Sequence, residues 1–180
     1  AGKEWTELDP STANLLKLIR HYAKESEGAF DPTISPLVRA WGFSGGNVPL
    51  HPLTKERIAP LLEACGYEHL VVSNSSAYLE LEGMSVDPGG IAKGLAVDEA
   101  HGRISKQGGR NFMVNLGGNL RCSGVARGKS PWVIGVQNPF DGDEIIGTLE
   151  VTDDWATATS GNYERFIQID GEYYAHIIDP

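Results

Sequence analysis

The segment Val86-Asp87-Pro88-Gly89-Gly90-Ile91-Ala92-Lys93-Gly94, closing on Asp98, has the residue types that hold an anion. A strand is expected to feed a glycine-rich loop, and the loop to open a helix. A helix start presents backbone N–H groups and the positive end of the helix dipole. Glycines let a ligand come close to the backbone. Lys93 puts a point charge in the first turn, where it opposes the dipole. An anion seated there would turn that placement to advantage. A tight turn with a solvated lysine accounts for the same residues equally well, and the segment alone does not separate the two readings.

The other motifs are weaker. Asn115-Leu116-Gly117-Gly118-Asn119 reads as an ordinary hairpin turn before it reads as a ligand loop. Ala158-Thr159-Ser160-Gly161-Asn162-Tyr163-Glu164-Arg165 places small hydroxyl residues before a Gly-Asn turn, but it lacks the G-x-S-x-G elbow of a serine hydrolase. His176 falls in an apolar run that reads as a strand, with Asp179 after it. A strand histidine is more often structural than catalytic, and both roles stay open here. His21, His51, His69 and His101 fall at no metal-ligand spacing. Gly124-Val125-Ala126-Arg127-Gly128-Lys129-Ser130 looks like a P-loop, yet only three residues separate its glycines and no apolar strand leads in. It reads as an exposed basic turn. Two cysteines, Cys65 and Cys122, exclude a disulfide-dense scaffold and a four-cysteine zinc site, leaving one bridge or none.

The elements that must position these residues follow from periodicity. Ser11 is the expected cap of a helix running to about Glu27, with Leu15, Leu16, Ile19, Tyr22 and Ala23 at helical spacing and Gly28 as its stop. Pro32 and Pro36 forbid a long helix before Leu37. A loop is expected from Ser44 to Pro52 and a helix from Thr54 to Ala64, bent or delayed by Pro60. Short strands are expected at 70–73 and 78–81, and a helix from about Ile91 to Gln107 closed by Gly108-Gly109. Further strands fall at 111–116, 120–123, 132–136 and 145–151. The clearest pair, 163–169 and 172–178, flanks Asp170-Gly171, a strong hairpin sequence. Two or three helices with many adjacent strands predict an α+β fold, a mixed and largely antiparallel sheet flanked by helices.

Composition narrows the class. Of the 180 residues, 41% are hydrophobic and 22% charged, which excludes a disordered chain. The 15 Lys and Arg against 24 Asp and Glu give a net charge of −9, unsuited to general nucleic-acid binding. No apolar run approaches the roughly 20 residues that cross a bilayer. The chain opens at Ala1 without Met or a signal peptide, and it stops at Asp179-Pro180 directly after a strand-like run. The expectation is a single domain over 1–180, incomplete at both ends.

Taken in order, these segments resemble the ApbE family, the FAD:protein FMN transferases. Phe30-Asp31-Pro32-Thr33, Pro36-Leu37 and Trp41-Gly42-Phe43 resemble its flavin-side motif, and Val86 to Gly94 with Asp98 its central loop and helix. Asn115 to Asn119, Ala158 to Arg165 and His176-Ile177-Ile178-Asp179-Pro180 resemble its later motifs. Together they cover roughly residues 12 to 180. The resemblance implies a T-fold-like architecture. It also implies Mg2+-dependent transfer of FMN from FAD to a Thr or Ser hydroxyl of a target flavoprotein, with release of AMP. It places the Gly90 carbonyl on Mg2+, Asp87 and Lys93 on FAD, and Trp41, Gly42 and Phe43 along the dinucleotide pocket. Ile178 packs on FAD, and His176 acts as base or orients the acceptor hydroxyl. Implied acceptors are subunits of ion-pumping quinone reductases and related redox complexes. The implied location is the periplasm or cell envelope, lipid-anchored in the full-length precursor. Family members carry an upstream part of the flavin pocket and downstream Mg2+ ligands that these residues lack. Asn119 stands where Asp is commoner, and Pro88 where Leu is. Two other readings remain: an FAD pyrophosphatase giving FMN and AMP, and a non-catalytic flavin-binding or trafficking protein.

Overall fold

The computed structural model describes residues 4–45, 47–162 and 165–178. A two-residue strand, β1 (Thr6–Glu7), leads into helix α1 (Pro10–Glu25). Its cap is Asp9, two residues before the expected Ser11: the Asp9 carboxylate accepts from the backbone N–H of Ser11 and Thr12 and from both their hydroxyls. A carboxylate satisfies more of the orphan donors than a hydroxyl can, and its charge suits the dipole. Ala13, Ile19 and Ala23 share the buried face. The helix closes in a Schellman motif, Gly28 N–H to Ala23 carbonyl and Glu27 N–H to Lys24 carbonyl, with Glu27 itself at φ 53°.

Helix α2 (Ser35–Ala40) starts beside Pro36, which the first turn tolerates because no N–H is needed there. Helix α3 (Lys55–Leu62) carries Pro60 inside and buries no residue, so it contributes little to the core. Strands β2 (Leu70–Val72) and β3 (Ser76–Leu79) pair antiparallel, with β1 on the other edge of β3. Helix α4 (Gly89–Lys106) ends as expected on Gly108 and Gly109 in a second Schellman motif.

Then β4 (Phe112–Leu116), β5 (Asn119–Ser123), β6 (Trp132–Gln137), β7 (Ile145–Val151) and β8 (Trp155–Thr157) build two sheets, β4-β5-β8 and β6-β7. The Gly117-Gly118 turn is the expected plain hairpin: both residues have positive φ and Leu116 faces Asn119. Finally β9 (Phe166–Ile169) and β10 (Glu172–Ala175) form the Asp170-Gly171 hairpin, with φ of 52° and 86° at the turn. Among the described residues all strand pairs are antiparallel, and the parallel contact is an isolated Ile34–Ser85 bridge. The α+β expectation therefore holds, with the sheet divided into four short antiparallel pieces among the described residues.

The chain divides into two compact units, 1–91 with 165–180, and 92–164. The first buries Ile19, Leu37, Leu70, Met84 and Ile169. The second buries Val97, Leu120, Cys122 and Val151. Each large apolar side chain so buried contributes about 1.5–3 kcal/mol.

Candidate functional site

The loop before α4 is fixed from behind by Phe30 to Thr33. The Asp87 N–H donates to the Pro32 carbonyl at 2.8 Å, and Ser85, two residues earlier, forms the bridge to Ile34. The Asp31 carboxylate accepts from the Thr33 N–H and hydroxyl and from the Tyr67 N–H. The fully buried Thr33 hydroxyl accepts in turn from the Gly66 N–H at 2.7 Å. These residues resembled a flavin-side motif; the side chains of Asp31 and Thr33 are engaged in holding their own turn to the Gly66–Tyr67 turn.

On this support sits an exposed Gly89-Gly90 pair. Asp87 Oδ1 accepts from the Gly89 N–H at 2.8 Å and so caps α4. A Cβ on Gly90 would lie 2.8 Å from Cε2 of Phe30, so a larger residue there must displace the Phe30 ring. Two first-turn donors are satisfied internally, Gly89 by Asp87 and Ile91 by the Pro88 carbonyl, so the helix start offers an anion fewer free N–H groups than its sequence suggests. Lys93 lies exposed on α4, three residues beyond Gly90. Among the described residues no group of three acidic, His or Cys side chains is placed to hold a metal.

A second cluster gathers Trp41, Phe43 and His176. Trp41-Gly42-Phe43 closes α2 in a Schellman motif, with Gly42 at φ 83°. A Cβ on Gly42 would meet Val48 Cα at 2.8 Å. Trp41 stacks on Tyr174 with centroids 4.9 Å apart, and the Phe43 ring stands edge-on to His176 at 6.2 Å. His176 was expected inside a strand. Instead β10 ends at Ala175, and the His176 Nδ1 takes the Arg165 carbonyl at 3.0 Å. The Arg165 guanidinium donates to the Phe43 carbonyl at 2.5 Å. Ile178 is half-buried. Asp179, Pro180, Tyr163 and Glu164 lie outside the described residues. Sequence reasoning missed Arg165 and Tyr174 as partners of this cluster; nothing in spacing alone connects them to residues 41–43.

Asp98, from the same central motif, belongs to a separate network. Arg121 bonds Asp154 through two nitrogens at 2.6 Å each and Asp98 at 2.8 Å. The Arg121 hydrogen bonds hold the Asp154 carboxyl below the usual range. Buried His101 packs on Phe112 with Nε2 3.9 Å from Asp154. Both cysteines are free thiols. Burial, with the Asp31 charge adding, pushes the Cys65 thiol up, away from nucleophilic use.

The ApbE family model matches residues 1–180, and the chain belongs to the ApbE family. A Vibrio cholerae protein named FAD:protein FMN transferase is 36% identical over 86% of this chain and 46% of its own. One from Rhodobacter capsulatus with the same name is 34% identical over 100% of this chain and 34% of its own. The chain thus spans about half the length, or less, of these curated relatives. The crystal structure of the Thermotoga maritima ApbE protein is 38% identical, with a TM-score of 0.89 over 99% of this chain and 58% of that one. The flavin transferase ApbE of Vibrio cholerae superposes with a TM-score of 0.84 at 33% identity, over 98% and 56%.

Proposed function

We propose that the chain is part of a flavin transferase that moves FMN from FAD to a Thr or Ser hydroxyl of a flavoprotein. The observation that carries this reading is the exposed Gly89-Gly90 start of α4, braced from behind by the Pro32 carbonyl, where no side chain keeps a diphosphate from the backbone. The relatives' names supply the substrate.

Asp87 and a diphosphate are both anions, so their meeting at one loop calls for a cation. Mg2+ fits that donor set. It takes hard oxygen ligands and is commonly held by few protein groups together with substrate phosphates. The Gly90 carbonyl would hold it, with further side-chain ligands from outside these residues. When bound, Mg2+ neutralises charge on the diphosphate. The protein's own residues do the rest. Lys93 adds charge to the phosphates, while Trp41, Gly42 and Phe43 contact the dinucleotide and Ile178 packs on it. His176 receives the proton from the acceptor hydroxyl. That oxygen forms a bond to the FMN phosphorus as the diphosphate bond breaks, and AMP leaves with the bridging oxygen.

The acceptors, subunits of ion-pumping quinone reductases or related redox complexes, and the cell-envelope location rest on the family resemblance. The test is mass spectrometry of a Thr-containing acceptor peptide after incubation with the protein, FAD and Mg2+. The expected result is a gain of FMN less one water, abolished by EDTA. FAD cleaved to FMN and AMP with the peptide unchanged would replace the transferase with a pyrophosphatase. FAD bound but intact would replace it with a binding protein.

A further inference from the structure

We propose that Arg165 is the positioning residue for His176, holding the imidazole with its proton on Nδ1 and its lone pair on Nε2. The inference rests on the proposed role of His176 as proton acceptor.

The β9–β10 ladder ends at the Phe166–Ala175 pair, so Arg165 and His176 are the next positions beyond it. There the imidazole replaces the backbone: Nδ1 meets the Arg165 carbonyl at 3.0 Å. A carbonyl oxygen only accepts, so in the neutral ring this bond requires the proton on Nδ1. Nε2 is then the atom free to take a proton.

A carbonyl just past a strand end frays unless something holds it. Arg165 supplies the hold with its own side chain, which reaches across 122 positions of sequence to the Phe43 carbonyl. That carbonyl is itself a firm anchor. Phe43 is buried, and its N–H closes the Schellman motif of α2 on Val38. The Phe43 ring also stands edge-on to the His176 ring, limiting its rotation. One residue thus ties the aromatic turn to the histidine by its side chain and orients the histidine by its backbone. A base oriented by a third group is the arrangement that proton-transferring histidines need.

The test is a long-range 1H–15N correlation spectrum of 15N-labelled protein above the titration of histidine, with the His176 signals assigned from His176→Gln. The expected wild-type pattern is protonated Nδ1 with unprotonated Nε2. In Arg165→Ala that pattern shifts toward protonated Nε2, and transfer slows roughly 10- to 100-fold. If Arg165→Ala does not fold by circular dichroism, Arg165→Gln, which keeps an N–H donor without the charge, gives the same readout at smaller amplitude. A wild-type spectrum with protonated Nε2, or an unchanged tautomer in folded variants, would overturn the proposal. A shifted tautomer with undiminished transfer would uphold the positioning and remove His176 from the chemistry.

Discussion

At the scale of single residues, two positions bear on chemistry most directly. His176→Ala should lower flavin transfer by about 10²- to 10⁴-fold, the usual worth of a positioned acid–base group. Transfer within a few-fold of wild type, measured by peptide mass spectrometry, would sink its role. Gly90 is held by contact, since the Phe30 ring fills the space a Cβ would need. Gly90→Ala should therefore cost about 1–3 kcal/mol in urea unfolding. Shortening the neighbour should recover part of that loss, so Gly90→Ala with Phe30→Leu should be more stable than Gly90→Ala alone. His176 was legible as a chemical residue from its motif, whereas its tautomer was not. That depends on the Arg165 carbonyl opposite it, which only strand pairing supplies.

At the scale of elements, α1 offers the sharpest tests because both its ends depart from expectation. Its C′ residue is Glu27 in the left-handed region, where an L side chain is strained. Glu27→Gly should raise stability by about 0.5–1 kcal/mol by thermal or chemical unfolding; a loss instead would mean that the Glu27 side chain makes a compensating contribution. At the other end, hydrogen bonds from the Ser11 and Thr12 side chains hold the Asp9 carboxyl far below its usual range. A depressed folded pKa gives stability that is complete above the unfolded value, about pH 4, and fades as pH falls below it. The melting-temperature advantage of wild type over Asp9→Ala should thus be full near neutrality and shrink in acid. Periodicity placed α1 and α4 well. It mistook the α1 cap because Asp9, Ser11 and Thr12 are all good cap residues, and their competition is settled by which one the chain turns at.

At the scale of the whole molecule, the segment from Phe30 to Phe43 does most to organise the first unit. Its first half holds the Asp87 loop and the Gly66–Tyr67 turn, and its second half ends in the aromatic turn beside His176. Thr33 is the joint, fully buried with its hydroxyl bonded on both sides. Thr33→Val keeps the shape but strands the Gly66 N–H, and should cost about 1–3 kcal/mol in urea unfolding. A change within a few tenths of a kcal/mol would show that the loop is held by other contacts.

What the sequence determined by itself was local. Hydrophobic period gave the main helices and most strands, and the Asp170-Gly171 and Gly117-Gly118 dipeptides set their hairpins, because positive φ is a property of two residues and needs no distant partner. The ordered motifs also marked the family. Only tertiary structure decided which of those motifs are scaffold and which face outward. Asp31 and Thr33 proved to be braces, and Asp98 proved to be a partner of Arg121. Arg165, in the sequence only the end of the Ala158–Arg165 motif, proved to be the link between Phe43 and His176. The physical reason is the same in each case. A polar side chain is chemically ambiguous until its hydrogen-bond partner is known, and these partners lie 11 to 122 residues away in the chain.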